Sequence, residues 1–290
     1  MRKPLLFTVA APTIAALALA GLSATSSASA LARHAGSAKS SNSCTKSHLK
    51  LHTPGQLTVA TDAPAYPPYF ENNKPSNGKG LESAVAYAVA GQLGFTRNEV
   101  KWVVEPFDSS YAPGPKSFDF DINEISITAA RQQAVSFSTP YYNDPQGVIV
   151  EANGPYAHIT KLSQLKNAKI GVQIGTTSLA AVNSSIKPSN QPDVFNSSND
   201  VLAALKLHRV SAIVTDLATT EYMVQAQLKG AKVVGKFSAP SGNNWGLLLA
   251  RRSPLTACVD TALAKLRSRG VLAAIAKKWF PQAAAVPTLK

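Results

Sequence analysis

The chain has 290 residues, of which 45% are hydrophobic and 16% charged, so it can bury one large core or two moderate ones. Its formal net charge of +13 would suit an anionic partner, but the Lys and Arg residues are scattered, without a basic run or interleaved aromatic residues. This pattern argues against nucleic-acid binding and favours a solvated basic surface.

The first thirty residues have the pattern of a secretory signal. Arg2 and Lys3 precede an apolar run from Leu5 to Leu22, and small residues follow, ending in Ala28-Ser29-Ala30. A positive start, an apolar run and an A-x-A site are the three parts of a cleavable signal. We therefore predict that residues 1–30 are a signal peptide and that the mature chain is exported to an extracytoplasmic location. The alternative is an uncleaved membrane anchor, for which the Ala-rich run is barely long enough.

Residues 31–54 are rich in Ser, Ala, Lys and His and poor in apolar side chains, so we predict a flexible leader. The chain has two cysteines, Cys44 in this leader and Cys258 near the C-terminus. In an oxidising compartment an even cysteine count indicates a disulfide, which here would tie the leader to a C-terminal helix. Two unpaired thiols are the alternative.

From residue 57 onward, β-branched runs alternate with helical patterns of apolar residues. In the first series, the predicted elements are strands at 57–61, 100–107 and 122–128 and helices at 81–93 and 129–135. In the second series, they are strands at 146–152, 169–174, 192–196, 211–216 and 231–237 and helices at 178–186, 199–208 and 217–229. A strand at 245–250 and a helical stretch from about Pro254 to Phe280, broken near Gly270, follow. The alternation predicts an α/β fold with mostly parallel sheets, in two series separated near residues 143–148.

Polar residues stand where several predicted strands end, which is where ligands bind in open parallel sheets. Arg131 follows the third strand, and its guanidinium suits two-pronged binding of a carboxylate, although a helix arginine is often only solvated. Ser126 and Thr128, two residues apart, would face the same way just before a helix N-terminus, whose N–H groups favour an anion.

The second series offers matching groups. Gly175-Thr176-Thr177 is either a tight turn with a helix-capping hydroxyl or a second set of donors for the same carboxylate. Asp62 and Asp216 are either turn residues or acceptors for an ammonium group. A carboxylate-binding arginine with hydroxyls, together with acids for an ammonium, is what an amino acid requires.

Glu124 adds a negative charge to this predicted site. On a regular strand it would share the face of Ser126 and Thr128 and line the cleft beside Arg131. We predict that it selects cationic or neutral polar ligands and disfavours aspartate and glutamate, since like charges repel in a closed cleft. The alternative is an ion pair between Glu124 and Arg131, which would occupy the carboxylate-binding fork.

The sequence shows no catalytic or cofactor motif. The five histidines have no metal-ligand spacing, and neither a nucleophile elbow nor a P-loop occurs. We therefore predict a non-enzymatic protein without a cofactor or a metal site.

Six stretches in order resemble the extracytoplasmic solute-binding proteins of polar amino-acid ABC importers, known as family 3. They are LTVATDAPAYPPYF, GKGLESAVAYAVAGQLG, SITAARQQAVSFSTPYY, KIGVQIGTTS, LAALKLHRVSAIVTD and AIAKKWF, within about residues 55–281. The resemblance implies a two-lobed periplasmic-binding-protein-like fold, in which two α/β lobes joined by a two-strand hinge close on a ligand. Lobe 1 would be residues 55–143, lobe 2 residues 144–239, and residues 240–290 would return to lobe 1 with the C-terminal helices.

The resemblance also implies roles for individual residues. Arg131 and Thr176 would hold the α-carboxylate, Ser126 would add its hydroxyl or main chain, and Asp62 and Asp216 would serve the ammonium or the side chain. Two aromatic residues would flank the ligand and one amide would contact its side chain: Tyr66, Phe107 and Gln173. The complete predicted site is Asp62, Tyr66, Phe107, Glu124, Ser126, Thr128, Arg131, Gln173, Thr176, Thr177 and Asp216.

The sequence departs from the family pattern at three places, one of which is the loop around Tyr111-Ala112-Pro113, which is shorter or differently shaped. Glu124 stands where a glycine is common, and Ala129-Ala130 replace the usual Pro-Glu before the arginine. The implied function is a monomeric binding component that delivers an amino acid to an ABC permease. The alternatives are an exported enzyme on the same scaffold, with Glu124 or Glu82 as acid or base, and a ligand-sensing module.

Overall fold

The computed structural model describes residues 44–240 and 242–290; the predicted signal peptide and most of the predicted leader lie outside the described residues. Two five-stranded sheets, each covered by helices, form two lobes. This architecture confirms the predicted α/β, two-lobed fold class.

Lobe 1 is built around the first sheet. Its elements are β1 (Leu57–Thr61), α1 (Leu81–Gln92), β2 (Val100–Val104), α2 (Phe107–Ser110), β3 (Phe120–Asp121), α3 (Ala129–Gln132) and β4 (Ser136–Phe137), followed by β5 (Tyr142–Asn143) at the border of the lobe. β1 pairs in parallel with β2 and β3. The stripe of Leu81, Val85 and Val89 predicted on α1 is buried in the core of this lobe.

Lobe 2 is built around the second sheet. Its elements are β6 (Gln146–Glu151), β7 (Ile170–Gln173), α4 (Ser178–Ala181), β8 (Asp193–Phe195), α5 (Ser198–Lys206), β9 (Ala212–Asp216), α6 (Leu217–Tyr222) and β10 (Ala231–Phe237). The strand order is β10-β6-β9-β7-β8, with β7 parallel to both of its neighbours and β6 antiparallel to both of its own. α4 and α6 each continue into a π-helical turn, so the longer helices predicted at these places form in two parts.

The chain then returns to lobe 1 through a second crossing. β11 (Asn244–Trp245) pairs antiparallel with β5, and this two-stranded ribbon joins the lobes. β12 (Leu248–Leu249) enters the first sheet between β3 and β4, and α7 (Thr256–Ser268) and α8 (Val271–Trp279) pack against α1. Gly270, with a φ of 73°, separates α7 from α8, as the sequence predicted.

Two strand predictions in lobe 1 were wrong. Residues 122–128 do not form a regular strand: β3 ends at Asp121, and within the stretch only Ser126 makes a bridge, to Trp245. Glu124 has a φ of 47°, in the left-handed region, so the alternation of side chains assumed for this stretch is lost. β2 ends at Val104 rather than at residue 107, because the chain turns at Pro106 to begin α2.

The C-terminal residues also depart from the expected boundary. Residues 240–290 were expected to lie with lobe 1, but the last residues cross to lobe 2, where Thr288 bridges to Lys236 of β10. Leu289 is 4% exposed, and its side chain fills the space over Gly235, where a Cβ would lie 2.5 Å from the Leu289 Cγ. This tail is therefore a third segment that connects the lobes.

The predicted disulfide is confirmed. Cys44 and Cys258 are bonded, with their Cα atoms 5.3 Å apart, and Cys258 lies buried in α7. Across residues 44–240 and 242–290, no helix combines the length and the apolar character that crossing a membrane requires.

Candidate ligand-binding cleft

A cavity of about 360 Å³ lies between the lobes, which is a size suited to a small molecule. Residues that follow the carboxyl ends of β1, β2, β7 and β9 contribute to its lining, as expected for an open parallel sheet. The predicted residues that line it are Asp62, Tyr66, Phe107, Glu124, Ser126, Arg131, Gln173, Thr176, Thr177 and Asp216. Thr128 is absent from the lining.

Hydrogen bonds join the two lobes across this cleft. The Asn199 side-chain amide donates to the Tyr66 hydroxyl over 2.8 Å, and the hydroxyls of Tyr69 and Thr219 lie 2.7 Å apart. Both lobes therefore contribute walls to the cavity, and side chains from the two lobes are hydrogen-bonded to each other beside it. Tyr69 is only 4% exposed, yet its hydroxyl reaches the opposite lobe.

Arg131 is held by main-chain carbonyls from both lobes. Its Nη1 donates to the Ser126 carbonyl over 2.8 Å, and its Nη2 donates to the Gly175 carbonyl over 2.9 Å. The side chain is 8% exposed and lines the cavity, with other N–H groups of the fork left for a ligand.

Thr128, which does not line the cavity, caps α3, because its Oγ1 accepts from the Arg131 N–H at 3.2 Å. Thr128 thus positions the helix that carries the arginine.

Two aromatic rings pack on this guanidinium. The Arg131 Cζ lies 4.4 Å from the Tyr111 ring centre and 5.4 Å from that of Phe107, which is cation–π geometry. The Tyr111 hydroxyl donates to Asp108 over 2.6 Å, and burial together with this carboxylate raises the pKa of Tyr111 to about 12. Tyr111 lies in a Pro- and Gly-rich loop whose sequence gave no sign of this contact.

Four carboxyl groups also line the cavity: that of Asp108, which accepts from Tyr111, and those of Asp62, Glu124 and Asp216. Burial raises the pKa of Asp62 to about 6, opposed by a hydrogen bond from Asn123. Burial likewise raises the pKa of Asp216 to about 7, opposed by a 2.7 Å hydrogen bond from the Gln146 amide. These acids would ionise more readily beside a bound cation, because an opposite charge favours the carboxylate.

Glu124 pairs with another carboxyl group rather than with Arg131. Among residues 44–240 and 242–290, the ion pairs within 4.0 Å are Lys46–Glu99 and His208–Glu151, so the alternative Glu124–Arg131 pair does not form. The Glu124 N–H donates to the Glu82 Oε1 over 2.6 Å, which brings these two acidic residues together. Burial first, and then the neighbouring Glu82, raise the pKa of Glu124 well above its usual range.

Gly80 lets Glu82 reach this position. Gly80 precedes α1 with a φ of 101°, and a Cβ there would lie 2.0 Å from the Tyr69 carbonyl oxygen. The close approach places Glu82 in the first turn of α1, fully buried, where Tyr141 also donates its hydroxyl to the Glu82 Oε1. From sequence, Glu82 was named only as an acid or base of the enzymatic alternative.

On the lobe 2 side, the predicted hydroxyl groups serve local structure as well as the cavity. The Thr176 hydroxyl donates to the Gln173 carbonyl over 2.8 Å, which closes the turn after β7. The Thr177 and Ser126 hydroxyls lie 3.4 Å apart across the cleft, and the Ser198 hydroxyl donates to the Gln173 side chain over 2.6 Å. Residues 196–199 also line the cavity and were not predicted, because Ser197 and its neighbours have the pattern of a helix cap.

The chain is similar in sequence to known amino-acid-binding proteins. Residues 57–282 match the family model of the bacterial extracellular solute-binding proteins, family 3. The ABC transporter arginine-binding protein 1 of Escherichia coli is 26% identical over 222 residues, which cover 75% of this chain and 88% of that protein. The L-cystine-binding protein of Escherichia coli is 26% identical over 236 residues, covering 80% and 85% respectively.

Solved structures give the same result. An ancestral arginine-binding protein bound to glutamine aligns with a TM-score of 0.64 at 30% identity, covering 79% of this chain and 99% of that one. An ancestral amino-acid-binding protein, a precursor of cyclohexadienyl dehydratase, aligns with a TM-score of 0.64 at 26% identity, covering 78% and 95%.

Proposed function

Since this chain belongs to the bacterial extracellular solute-binding proteins of family 3, the extracytoplasmic amino-acid-binding components of ABC transporters, we propose that its ligand is an amino acid with a positively charged side chain. The observation that carries this proposal is the charge arrangement in the cavity. One buried guanidinium, that of Arg131, lines it together with four carboxyl groups. Asp108 is bound by Tyr111 beside Arg131, and the other three are Asp62, Glu124 and Asp216.

This arrangement matches the charges of arginine or lysine. The free N–H groups of Arg131 suit the ligand α-carboxylate, and the three acids suit the α-ammonium and the side-chain cation. Glutamate would bring a second carboxylate close to those acids, and like charges repel strongly where water is excluded. Relatives that bind arginine, and an ancestral arginine-binding protein that holds glutamine, support a cationic ligand first and a neutral polar one second.

The test is titration calorimetry with arginine, lysine, glutamine, cystine and glutamate, backed by thermal shift. We expect arginine or lysine to bind most tightly, glutamine more weakly and glutamate least. A ligand at 100 times its Kd should stabilise the protein by about 2.7 kcal/mol. Cystine is included because a relative binds it. Tightest binding of glutamate, or no response to any amino acid, would overturn the proposal.

The partner follows from the family. We infer that the loaded protein, acting as a monomer, delivers its ligand to the membrane subunits of an ABC permease. A sensing role would instead require a signalling partner. Crosslinking at the cell surface distinguishes the two, since it would recover either permease subunits or a receptor.

An enzymatic role is the second candidate, and one observation favours it. Glu82 and Glu124 form a carboxyl pair with raised pKa values beside the cavity, and a structural neighbour is the precursor of a dehydratase. Prolonged incubation of the protein with its ligand, followed by mass spectrometry, separates the roles. A binding protein returns the ligand unchanged, and an enzyme returns a product.

A further inference from the structure

We propose that Glu82 and Glu124 share one proton in the empty cleft and that a cationic ligand displaces this proton when it binds. Glu124 would contact the ligand, and Glu82 would be a positioning residue that acts through Glu124. The inference rests on the proposed function, because it requires a ligand with a positive side chain.

The geometry divides the two roles. Glu124 lines the cavity and keeps part of its surface open to it, whereas Glu82 is 0% exposed and lies behind it. The Glu82 Oε1 already accepts hydrogen bonds from the Glu124 N–H and the Tyr141 hydroxyl. The Glu82 Oε2 is buried, and among the described residues no donor reaches it. A proton on Glu124 satisfies this pair without any other donor.

The surroundings favour retention of that proton. The ionisable groups that face the pair are Asp62 after β1, Asp121 at the end of β3, Asp216 at the end of β9, and the hydroxyls of Tyr69 and Tyr141. All of them are acids, so a second negative charge within the pair would be repelled. The cation in the same cavity lining, Arg131, is bound to the carbonyls of Ser126 and Gly175. Burial first, and then these acidic neighbours, raise the pKa of Glu124 well above its usual range, which favours the protonated form.

The exchange balances in charge. A ligand ammonium or guanidinium enters beside Glu124, the Glu124 carboxyl group gives its proton to water or buffer, and a hydrogen-bonded ion pair replaces the Glu82–Glu124 hydrogen bond. One positive charge enters and one leaves. A neutral amide ligand needs no such exchange, because protonated Glu124 can hydrogen-bond to it directly. Where one proton is released, affinity for arginine should rise up to about tenfold per pH unit, and affinity for glutamine should not.

The experiment is titration calorimetry of arginine and of glutamine in two buffers of different ionisation enthalpy. A setting of about pH 8 is suitable because Asp62 and Asp216, with pKa values of about 6 and about 7, have already lost their protons there. With arginine, the heats in the two buffers should differ in the sense of proton release. With glutamine the two heats should agree.

Two variants test whether Glu82 positions Glu124 or only stabilises the fold. Glu124→Gln should abolish the proton release and weaken arginine at least tenfold, because the amide cannot become negative. Glu82→Gln should also abolish the proton release but keep or strengthen arginine binding, because its amide N–H would donate to Glu124 and hold it ionised. A purely structural Glu82 would instead weaken binding. The matched control is Asp193→Asn, which removes an exposed carboxylate on β8 and should change neither quantity.

The outcomes are distinct. If neither arginine nor lysine binds the parent protein, the proposed function itself is overturned. Arginine binding with equal heats in both buffers would overturn only the proton exchange, as would a Glu82→Gln variant that still releases the proton. If Glu82→Gln does not fold, the pH dependence of arginine affinity in the parent decides: a slope equal to that of glutamine contradicts the inference.

Discussion

Arg131 contacts both lobes and two aromatic rings. We propose that a ligand carboxylate accepts hydrogen bonds from its remaining N–H groups. Arg131→Ala should therefore weaken amino-acid binding by about 2–5 kcal/mol, which is roughly 30-fold to several thousand-fold. Lysine should rescue poorly, since a point charge cannot reproduce the planar fork between the carbonyls of Ser126 and Gly175. Calorimetry provides the measurement, and Arg209→Ala, at an exposed position, is the control. Near-normal affinity in Arg131→Ala would show that Arg131 does not bind the ligand.

Glu124 occupies a backbone conformation that favours glycine, since its φ is 47°. Glu124→Gly should relieve about 1 kcal/mol of backbone strain, but it also removes the carboxyl group beside the buried Glu82 Oε2. Because these effects oppose each other, we expect little change in stability in urea unfolding, together with a smaller preference for arginine over glutamate. A variant that keeps the full preference would show that Glu124 is not selective, and a large loss of stability would show that its contact with Glu82 outweighs the strain.

Most of the candidate site could be anticipated from sequence at this scale, because residues at the ends of parallel strands converge. Asp62, Gln173 and Asp216 reach the cavity for this reason. The error concerned Glu124 and Thr128, which were assigned to one face of a regular strand. A single left-handed residue breaks that alternation, and a glutamate at the position gives no sequence signal for it.

The elements of lobe 2 followed the sequence closely because each strand is a short apolar run bounded by turn residues. In lobe 1, the position of β12 between β3 and β4 could not be predicted from the sequence, because a two-residue strand is too short to show an alternation of apolar and polar residues. The contact between Glu82 and Glu124 could not be predicted from the sequence either. It depends on how closely α1 approaches its preceding loop at Gly80, which is a tertiary distance.

The disulfide fixes the segment around Cys44 to α7 across a sequence separation of 214 residues. Replacing both cysteines with serine should lower the free energy of unfolding by up to about 4–5 kcal/mol on the chain-entropy model. Thermal unfolding of the secreted protein with and without reductant checks this, with the double variant as reference. If reductant lowers the melting temperature of the double variant as much as that of the parent, the bond is not responsible.

For the whole molecule, the buried acids of the cleft link stability to pH. The pKa values of Asp62 and Asp216 are raised to about 6 and about 7, so the folded protein keeps protons that the unfolded chain loses near pH 4. Their contribution to stability is therefore complete below about pH 4 and falls as the pH rises to about 7. We expect the melting temperature of the ligand-free protein to fall from about pH 5 to about pH 7, and Asp216→Asn to flatten this slope. An upward slope in this range would contradict the assignment.

The C-terminal tail bears on how the lobes are held together. It leaves α8 in lobe 1, where Phe280 packs against Tyr69 and Tyr142, and it ends on β10 of lobe 2. There the Lys236 N–H donates to the Pro287 carbonyl over 2.8 Å, and the Leu289 N–H donates to the Lys236 carbonyl over 2.9 Å. A tail anchored at both ends restricts how far the lobes can separate.

We therefore expect that deleting residues 283–290 destabilises the protein and lets the ligand-free lobes open more widely. Exposing the site of Leu289 alone should cost about 1.5–3 kcal/mol. Gly235→Ala should weaken the same contact without shortening the chain, because its Cβ would lie 2.5 Å from the Leu289 side chain. The matched control is Gly91→Ala on α1, where an added Cβ meets nothing within 4 Å. Urea unfolding and small-angle scattering provide the two readouts. An unchanged radius of gyration in both tail variants would mean that the tail stabilises lobe 2 without restraining the hinge.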